Sequence, residues 1–192
     1  MTAVSALLER NGAFAASGAR DGAPRLPFLP RRGLFVVCCI DCRVDPGQLL
    51  GLELGEALVA RNVGGRVTPA IVQDVAYASY LVERLAPEGP YFEVAIVHHT
   101  DCGSRLLEDE GLRRGFAERG GYDEEALAEL PVTDPADTVR ADVERLRRAP
   151  QVSSAITVSG HVYDVGTGLI RTVVDASRPT VRRPSEHVRA AR

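Results

Sequence analysis

The sequence predicts an α/β fold, in which the strands of a mostly parallel sheet alternate with helices. Short, apolar and β-branched runs are typical of strands that are buried on both faces of a parallel sheet. Four such runs occur along the chain, at 33–40, 57–60, 92–98 and 155–159. Helical patterns follow the second and the third run, which favours right-handed crossovers and a sheet flanked by helices.

Two of the predicted helices carry clear start signals. A capping residue followed by proline occurs at Thr68–Pro69 and again at Asp134–Pro135, and this order is typical of a helix N-terminus. Apolar residues then recur at spacings of three and four, as on the buried face of a helix. They are Ile71, Val75, Ala78, Val82 and Leu85 in the first helix, and Val139, Val143 and Leu146 in the second. A turn signal near the end of the chain predicts that 169–174 returns as an antiparallel edge strand.

Length and charge restrict the possible functions. A chain of 192 residues is long enough for one domain with its own core. We divide it into an N-terminal helix and connector (1–30), a catalytic α/β domain (31–175) and a tail (176–192). The net charge of -3 offers no footprint for nucleic acid or for an anionic membrane surface, and no apolar run approaches the ~18 residues of a membrane helix. The four cysteines without a secretion signal favour reduced thiols and the cytoplasm.

Three potential metal ligands follow two of the predicted strands. Cys39 ends the first strand, and His99 and Cys102 follow the third strand with two residues between them. Carboxyl ends of neighbouring parallel strands meet at one edge of a sheet, where ligands collect. Two thiolates and one imidazole would hold one zinc ion per chain and leave a fourth position open, as in catalytic rather than structural zinc sites. Cys38, Cys42 and His98 lie beside these residues as alternatives, and the spacing favours His99 over His98.

Asp41 and Arg43 are predicted to support this metal site. Side chains two residues apart in extended backbone share a face, so Cys39, Asp41 and Arg43 are expected to project together, away from Cys42. A carboxylate can orient a metal-bound water, and a paired guanidinium can keep that carboxylate off the metal. The sequence therefore predicts zinc-activated hydration or hydrolysis.

The same segments resemble the β-class carbonic anhydrases. The matching pieces are CIDCR (39–43), ARNVGG (60–65), HHTDCG (98–103) and GHVYDVGTG (160–168). They occur in the order and spacing of that family, and the resemblance covers about residues 30–175. It implies a sheet of strand order 2-1-3-4 plus an antiparallel edge strand.

The resemblance also implies roles for individual residues. Cys39, His99 and Cys102 become the zinc ligands, and Asp41 and Arg43 the dyad that orients zinc-bound hydroxide toward CO2. The active-site wall, which would contact the substrate, is implied at Asn62, Val63, Gly64 and Gly65. Family members assemble as dimers or higher oligomers, so a homodimer or homotetramer is expected here, with segment 3–16 as the helix that contacts the partner. His98 is the nearest candidate for a proton shuttle, and a packed histidine is its alternative.

Two alternative functions stay open at this level. Some family relatives hydrolyse carbonyl sulfide or carbon disulfide with the same ligands, and Val63 and Cys42, which depart from the usual family residues, are compatible with such a substrate. A zinc-stabilised binding or sensor domain without catalysis would need a fourth protein ligand, for which Cys42 is the spare thiol. The intact Asp41–Arg43 pair argues against the sensor domain, because a purely structural zinc site does not require it. CO2 hydration stays the favoured reaction.

Overall fold

A five-stranded sheet forms the centre of the molecule. The computed structural model describes residues 3–19, 21, 26–89 and 91–179. The strand order is β2-β1-β3-β4-β5; the first four strands run parallel and β5 is an antiparallel edge strand. This confirms the predicted fold class and strand order. The strands are β1 (Leu34–Cys39), β2 (Ala57–Asn62), β3 (Glu93–His99), β4 (Thr157–Tyr163) and β5 (Ile170–Ser177).

Helices connect the strands as the start signals predict. The helices are α1 (Ala3–Ala16), α2 (Pro46–Leu49), α3 (Pro69–Leu85), α4 (Glu110–Gly120), α5 (Glu124–Ala128) and α6 (Pro135–Arg148), with 3₁₀ turns at Val63–Gly65 and Gly103–Glu108. The Thr68 hydroxyl accepts a hydrogen bond from the Ile71 backbone N–H, and the Asp134 carboxylate accepts from the N–H groups of Ala136 and Asp137. These contacts satisfy N–H groups that have no partner inside the helix.

The main core lies between one face of the sheet and the pair α3 and α6. Its helical side is the predicted apolar stripes, and its sheet side comes from alternate residues of β1, β3 and β4, such as Phe35, Ile96 and Val158. Leu85 differs from the prediction: it is 61% exposed because it is the last residue of α3. A smaller apolar cluster around Val36 and Val97 lies on the opposite face of the sheet.

The sheet register brings the candidate ligands to one edge. Cys38 pairs with Val97, so Cys39 and His99 end two adjacent parallel strands one position apart. Cys39 pairs in turn with Asn62 of β2, which leads into the glycine-rich turn. The parallel arrangement therefore places three separate sequence segments beside each other at the carboxyl ends of β1, β2 and β3.

Strand β5 runs to Ser177, two residues past the predicted end of the catalytic domain. The predicted tail lies from residue 180 onward outside the described residues, and so do parts of the predicted N-terminal connector. Among the described helices, none combines the length and the apolar character that a membrane crossing requires.

Candidate metal centre

Three residues that the sequence predicted as metal ligands meet in the fold. The ligand atoms of Cys39, His99 and Cys102 all lie within 4.8 Å of one another, and all three residues are buried. The two sulfur atoms are 3.9 Å apart. Two thiolates on one tetrahedral zinc, with Zn–S bonds of 2.3 Å, would be about 3.8 Å apart. The spacing of the thiols therefore fits a tetrahedral zinc ion.

The imidazole of His99 is oriented for metal binding. Its Nδ1 lies 2.9 Å from the Thr100 carbonyl oxygen, which can only accept, so Nδ1 carries the proton. Its Nε2 is buried and has no hydrogen-bond partner among the described residues. A buried nitrogen without a partner is costly, and a backbone carbonyl on the other ring nitrogen is the usual arrangement for a metal-binding histidine. The unpaired Nε2 is thus explained by a metal ligand role.

Backbone and hydroxyl groups surround the two thiols. The backbone N–H of Asp41 donates to Cys39 Sγ at 3.4 Å, and the Ser104 hydroxyl lies 3.2 Å from Cys102 Sγ. The hydrogen bond between the thiols raises the pKa of Cys39 and lowers that of Cys102. Because metal ligands are thiolates, a cation at this site would replace the proton that the two sulfurs share.

Asp41 and Arg43 form a bidentate ion pair beside the ligands. Arg43 Nε donates to Asp41 Oδ1 at 3.0 Å, and Arg43 NH2 donates to Oδ2 at 2.7 Å. Hydrogen bonds from the Arg43 side chain, above all, lower the pKa of Asp41 to about 2. Asp41 is therefore an anion at neutral pH, and both of its oxygens are engaged by Arg43.

The predicted reason for this pairing is wrong, although the two residues do pair. Strand β1 ends at Cys39, and residues 41–43 form a turn rather than extended backbone. The Arg43 backbone N–H donates to Asp41 Oδ1 at 2.9 Å, and the Val44 N–H donates to the Asp41 carbonyl at 3.0 Å. An aspartate that accepts from the backbone two residues on makes a local turn of its own, and this turn folds Arg43 back over Asp41.

The turn after β2 forms a wall next to Cys39. The side chain of Asn62 closes it by bonding both the backbone N–H and the carbonyl of Arg66, each at 2.8 Å. Gly64 and Gly65 are buried and have positive φ angles of 77° and 67°. A Cβ at Gly65 would lie 2.8 Å from backbone atoms of Cys38 and Cys39, so glycine is required there. Val63 is 43% exposed, and contact of these four residues with the substrate stays a prediction.

His98 is packed in the core rather than exposed for proton transfer. It is fully buried; its Nδ1 lies 2.8 Å from Thr138 Oγ1, and its Nε2 lies 3.2 Å from the Gly65 carbonyl and 3.3 Å from Asp142 Oδ2. The packed alternative therefore describes this residue better than a shuttle. Among the other cysteines, Cys38 is buried, and burial raises its pKa to about 11, while Cys42 is exposed.

Sequence reasoning missed two residues that contact the site. Ser104 bridges Cys102 and the Val132 backbone N–H, and Asp101 accepts from Arg43. A signal existed for Asp101. It lies between the ligands His99 and Cys102, and aspartate tolerates the positive φ that a tight turn can require. Ser104 had no signal, because its partner Val132 is 28 residues away.

A parallel sheet that holds two thiols and an imidazole at its carboxyl edge, beside a carboxylate–guanidinium pair, defines an α/β metalloenzyme site. Residues 34–119 match the family model described as carbonic anhydrase. β-Carbonic anhydrase 1 of Mycobacterium tuberculosis is 30% identical over 148 residues, which cover 77% of this chain and 86% of the relative. The chain belongs to the β-carbonic anhydrase family, and its Cys–His–Cys group suits the zinc cofactor of that family.

Other comparisons agree on the fold and extend the range of relatives. A crystal structure of carbonic anhydrase from Streptococcus mutans superimposes with a TM-score of 0.74 at 29% identity, covering 90% of this chain and 98% of that chain. A carbon disulfide hydrolase of an Acidianus species is 26% identical over 163 residues, which cover 73% of this chain and 76% of the relative.

Proposed function

We propose that this enzyme catalyses the reversible hydration of CO2 to bicarbonate and a proton. The observation that carries the proposal is the combination of three buried ligands, Cys39, His99 and Cys102, with a bidentate Asp41–Arg43 pair beside them. A purely structural zinc site needs four protein ligands and no such pair. The relatives named as carbonic anhydrases support the choice of CO2.

Zinc held by these residues would supply Lewis acidity, which lowers the pKa of bound water toward neutrality. The chain's own residues supply orientation. Asp41, with its pKa lowered to about 2, is a hydrogen-bond acceptor rather than a base at neutral pH, so it can fix the direction of a water proton without taking it. Arg43 holds both Asp41 oxygens and thereby keeps the carboxylate out of the ligand set.

Hydrolysis of carbon disulfide or carbonyl sulfide by the same site is the second candidate. It is favoured by the relatives named carbon disulfide hydrolase, of which the Acidianus protein is 26% identical. Val63 of the wall is partly exposed and differs from the usual family residue, so it can influence which linear substrate fits. Both candidate reactions would use the same metal centre.

Two non-hydratase alternatives have less support. A sensor domain would need Cys42 as a fourth ligand, but Cys42 is exposed. Within the described part of the chain, the ligand group consists of Cys39, His99 and Cys102. Cys39 and Cys42 have the Cys-x-x-Cys spacing of thiol redox proteins. The sulfur of Cys39 instead contacts the sulfur of Cys102. A redox pair of Cys39 with Cys42 therefore does not fit the geometry of the site.

We also propose that the protein is cytoplasmic and works as a homodimer or homotetramer. Four free cysteines suit a reducing compartment. Helix α1 presents Val4, Leu7, Leu8 and Phe14 to solvent, and such an apolar stripe supports contact with a second copy. The three-part division of the chain remains a prediction.

The decisive experiment compares the substrates on one zinc-verified preparation. Stopped-flow CO2 hydration and the release of hydrogen sulfide from carbonyl sulfide and carbon disulfide are measured with the same protein. We expect kcat/KM for CO2 to exceed that for either sulfur substrate by at least about tenfold, a difference of about 1.4 kcal/mol in barrier. A reversed ratio would assign the chain to the hydrolases, and no turnover of any substrate with zinc bound would favour the sensor domain.

A further inference from the structure

The guanidinium of Arg43 contacts two carboxylates, not one. Besides Asp41, it reaches Asp101 of the loop between the ligands His99 and Cys102: NH1 donates to Asp101 Oδ2 at 2.9 Å, and NH2 donates to the Asp101 carbonyl at 2.9 Å. The edge of the guanidinium formed by NH1 and NH2 thus contacts the ligand loop, while the edge formed by Nε and NH2 contacts Asp41. Asp101 therefore limits the directions in which Arg43 can point.

Asp101 also has an unusual backbone conformation. Its φ angle is 54°, and it is the one non-glycine residue with positive φ in the described part of the chain. This conformation is unfavourable for residues with a Cβ, and aspartate and asparagine tolerate it best. Glycine would remove the strain, and yet the position carries a side chain that reaches Arg43.

The ion pair is too exposed to explain this arrangement by stability. The side chains of Arg43 and Asp101 are 42% and 59% exposed, and exposed ion pairs contribute little to stability. Arg105 contacts Asp101 Oδ1 at 3.3 Å from a similarly exposed position. A strained residue that holds a functional side chain through exposed contacts suggests a role in positioning.

We propose that Asp101 is a positioning residue for the reaction, acting through Arg43: it fixes the guanidinium in the direction in which Arg43 holds Asp41 away from the metal ligands. The proposed function enters only in the statement that this positioning serves CO2 hydration; the positioning of Arg43 by Asp101 does not depend on it. The control of Asp41 by Arg43 applies to any small ligand that must reach the fourth metal position.

Three substitutions separate the side chain from the backbone. Asp101→Gly removes both the side-chain contact and the strain, Asp101→Ser is too short to reach Arg43, and Asp101→Asn keeps an acceptor in a residue that tolerates the conformation. Arg105→Ala is the matched control, since it removes the other ion pair of Asp101 and leaves Arg43 in place. Zinc content and thermal midpoint are measured for each variant.

The readouts are kcat for CO2 and the affinity of the cobalt-substituted protein for thiocyanate, followed through the visible absorption of tetrahedral cobalt. Thiocyanate needs an open metal position and no catalysis. We expect Asp101→Gly and Asp101→Ser to lower kcat about tenfold and to weaken thiocyanate binding by a similar factor, with full zinc content. Asp101→Asn should stay within about threefold of the wild type, and Arg105→Ala within about twofold.

Other results would overturn the proposal. If Asp101→Gly and Asp101→Ser keep both properties within twofold, Asp101 does not position Arg43. If they lose zinc, Asp101 serves the ligand loop and not the dyad. A wild type that binds thiocyanate but does not hydrate CO2 refutes the proposed function alone, because the thiocyanate affinities of the variants still decide the role of Asp101.

Discussion

Arg43 controls Asp41 through two hydrogen bonds to its carboxylate, on opposite oxygens. Without this partner, a carboxylate next to a zinc ion would become a fourth ligand, since carboxylate oxygens bind zinc well. We therefore expect Arg43→Ala to lower kcat/KM for CO2 at least about 100-fold, a loss of about 2.7 kcal/mol, while zinc content stays at one per chain. Stopped-flow assays and metal analysis of the same sample test this.

Arg43→Lys is the matched variant, because lysine keeps the charge but cannot make the paired contact. It should show activity between that of the wild type and that of Arg43→Ala. If Arg43→Ala is as active as the wild type, the dyad assignment is wrong. If it loses zinc, Arg43 supports the ligands rather than the carboxylate.

Gly65 makes the closest backbone contact of the site. A Cβ there would lie 2.8 Å from both Cys38 C and Cys39 N, and the φ angle of 67° is unfavourable for any other residue. Gly65→Ala should therefore lower the free energy of unfolding by about 2–4 kcal/mol and weaken metal binding, because Cys39 must move. Urea unfolding and competition with a zinc chelator measure the two effects.

Gly115→Ala is the control for this substitution. Gly115 lies in α4, has open space around its Cα and does not have positive φ. Alanine is favoured over glycine inside a helix by about 0.5–1 kcal/mol, so this variant should gain stability and keep its metal affinity. A stable Gly65→Ala protein with unchanged zinc affinity would show that the wall can move without cost.

Helix α6 contacts residues that lie next to the metal ligands. Its Asp142 is fully buried and accepts from Arg66 at 2.7 and 3.1 Å and from the Val67 backbone N–H at 3.1 Å. His98, next to the ligand His99, lies 3.3 Å from the same carboxylate. One side chain of α6 thereby connects the end of the glycine-rich wall to the strand that carries His99.

Asp142→Asn should be strongly destabilising at neutral pH, and the stability that it loses relative to the wild type should depend on pH. Burial alone would raise the pKa of Asp142, but hydrogen bonds from His98 and Arg66 outweigh it and lower the pKa to about 2. Because the pKa of Asp142 is lower in the folded than in the unfolded state, where it is about 3.9, its carboxylate stabilises the fold by about 2–3 kcal/mol above that pH. This contribution is lost as the pH falls toward 2. The variant should lose about 3 kcal/mol at pH 7, since it leaves Arg66 buried without its counter-charge.

Urea unfolding at pH 7, 5, 4 and 3 tests both parts of this prediction. The difference between wild type and Asp142→Asn should be constant from pH 7 to 5 and should narrow below pH 4. Asp137→Asn, an exposed aspartate of the same helix, should change stability by less than about 0.5 kcal/mol. If the stability difference between wild type and Asp142→Asn widens as the pH falls, the pKa of Asp142 is not lowered in the folded protein.

Features that depend on local pattern could be predicted from the sequence, and pairs that are distant in sequence could not. Strands, caps and apolar stripes follow from local pattern, and the parallel sheet then brings Cys39 to His99 without further information. Asp142 had a weak signal: it lies on the apolar stripe between Val139 and Val143. Its partner Arg66 is 76 residues away, and nothing local predicts such a pair. The turn at Asp41 was missed because the apolar strand pattern was extended beyond Cys39.

At the scale of the whole molecule, the apolar side of helix α1 is not buried against the rest of the described chain. Val4, Leu7, Leu8 and Phe14 fall on one side of the helix at helical spacing, and each is 44–64% exposed. An isolated helix of 14 residues is only marginally stable in water. A helix of this length that keeps its apolar side in solvent needs a surface to cover it, and the proposed second copy supplies one.

The proposed assembly can therefore be weakened at α1 without touching the metal centre. Leu7→Glu combined with Leu8→Glu places two charges on the apolar side, and burying either charge at an interface is unfavourable. We expect the mass from light scattering at micromolar concentration to fall from that of a dimer or tetramer toward the monomer of 20.6 kDa. Glu9→Gln, on the opposite side of α1, should leave the mass unchanged. If the double variant keeps the mass of the wild type, α1 is not part of the interface, and the assembly must use another surface such as the edge strand β5, whose outer backbone groups have no sheet neighbour in the described strand order.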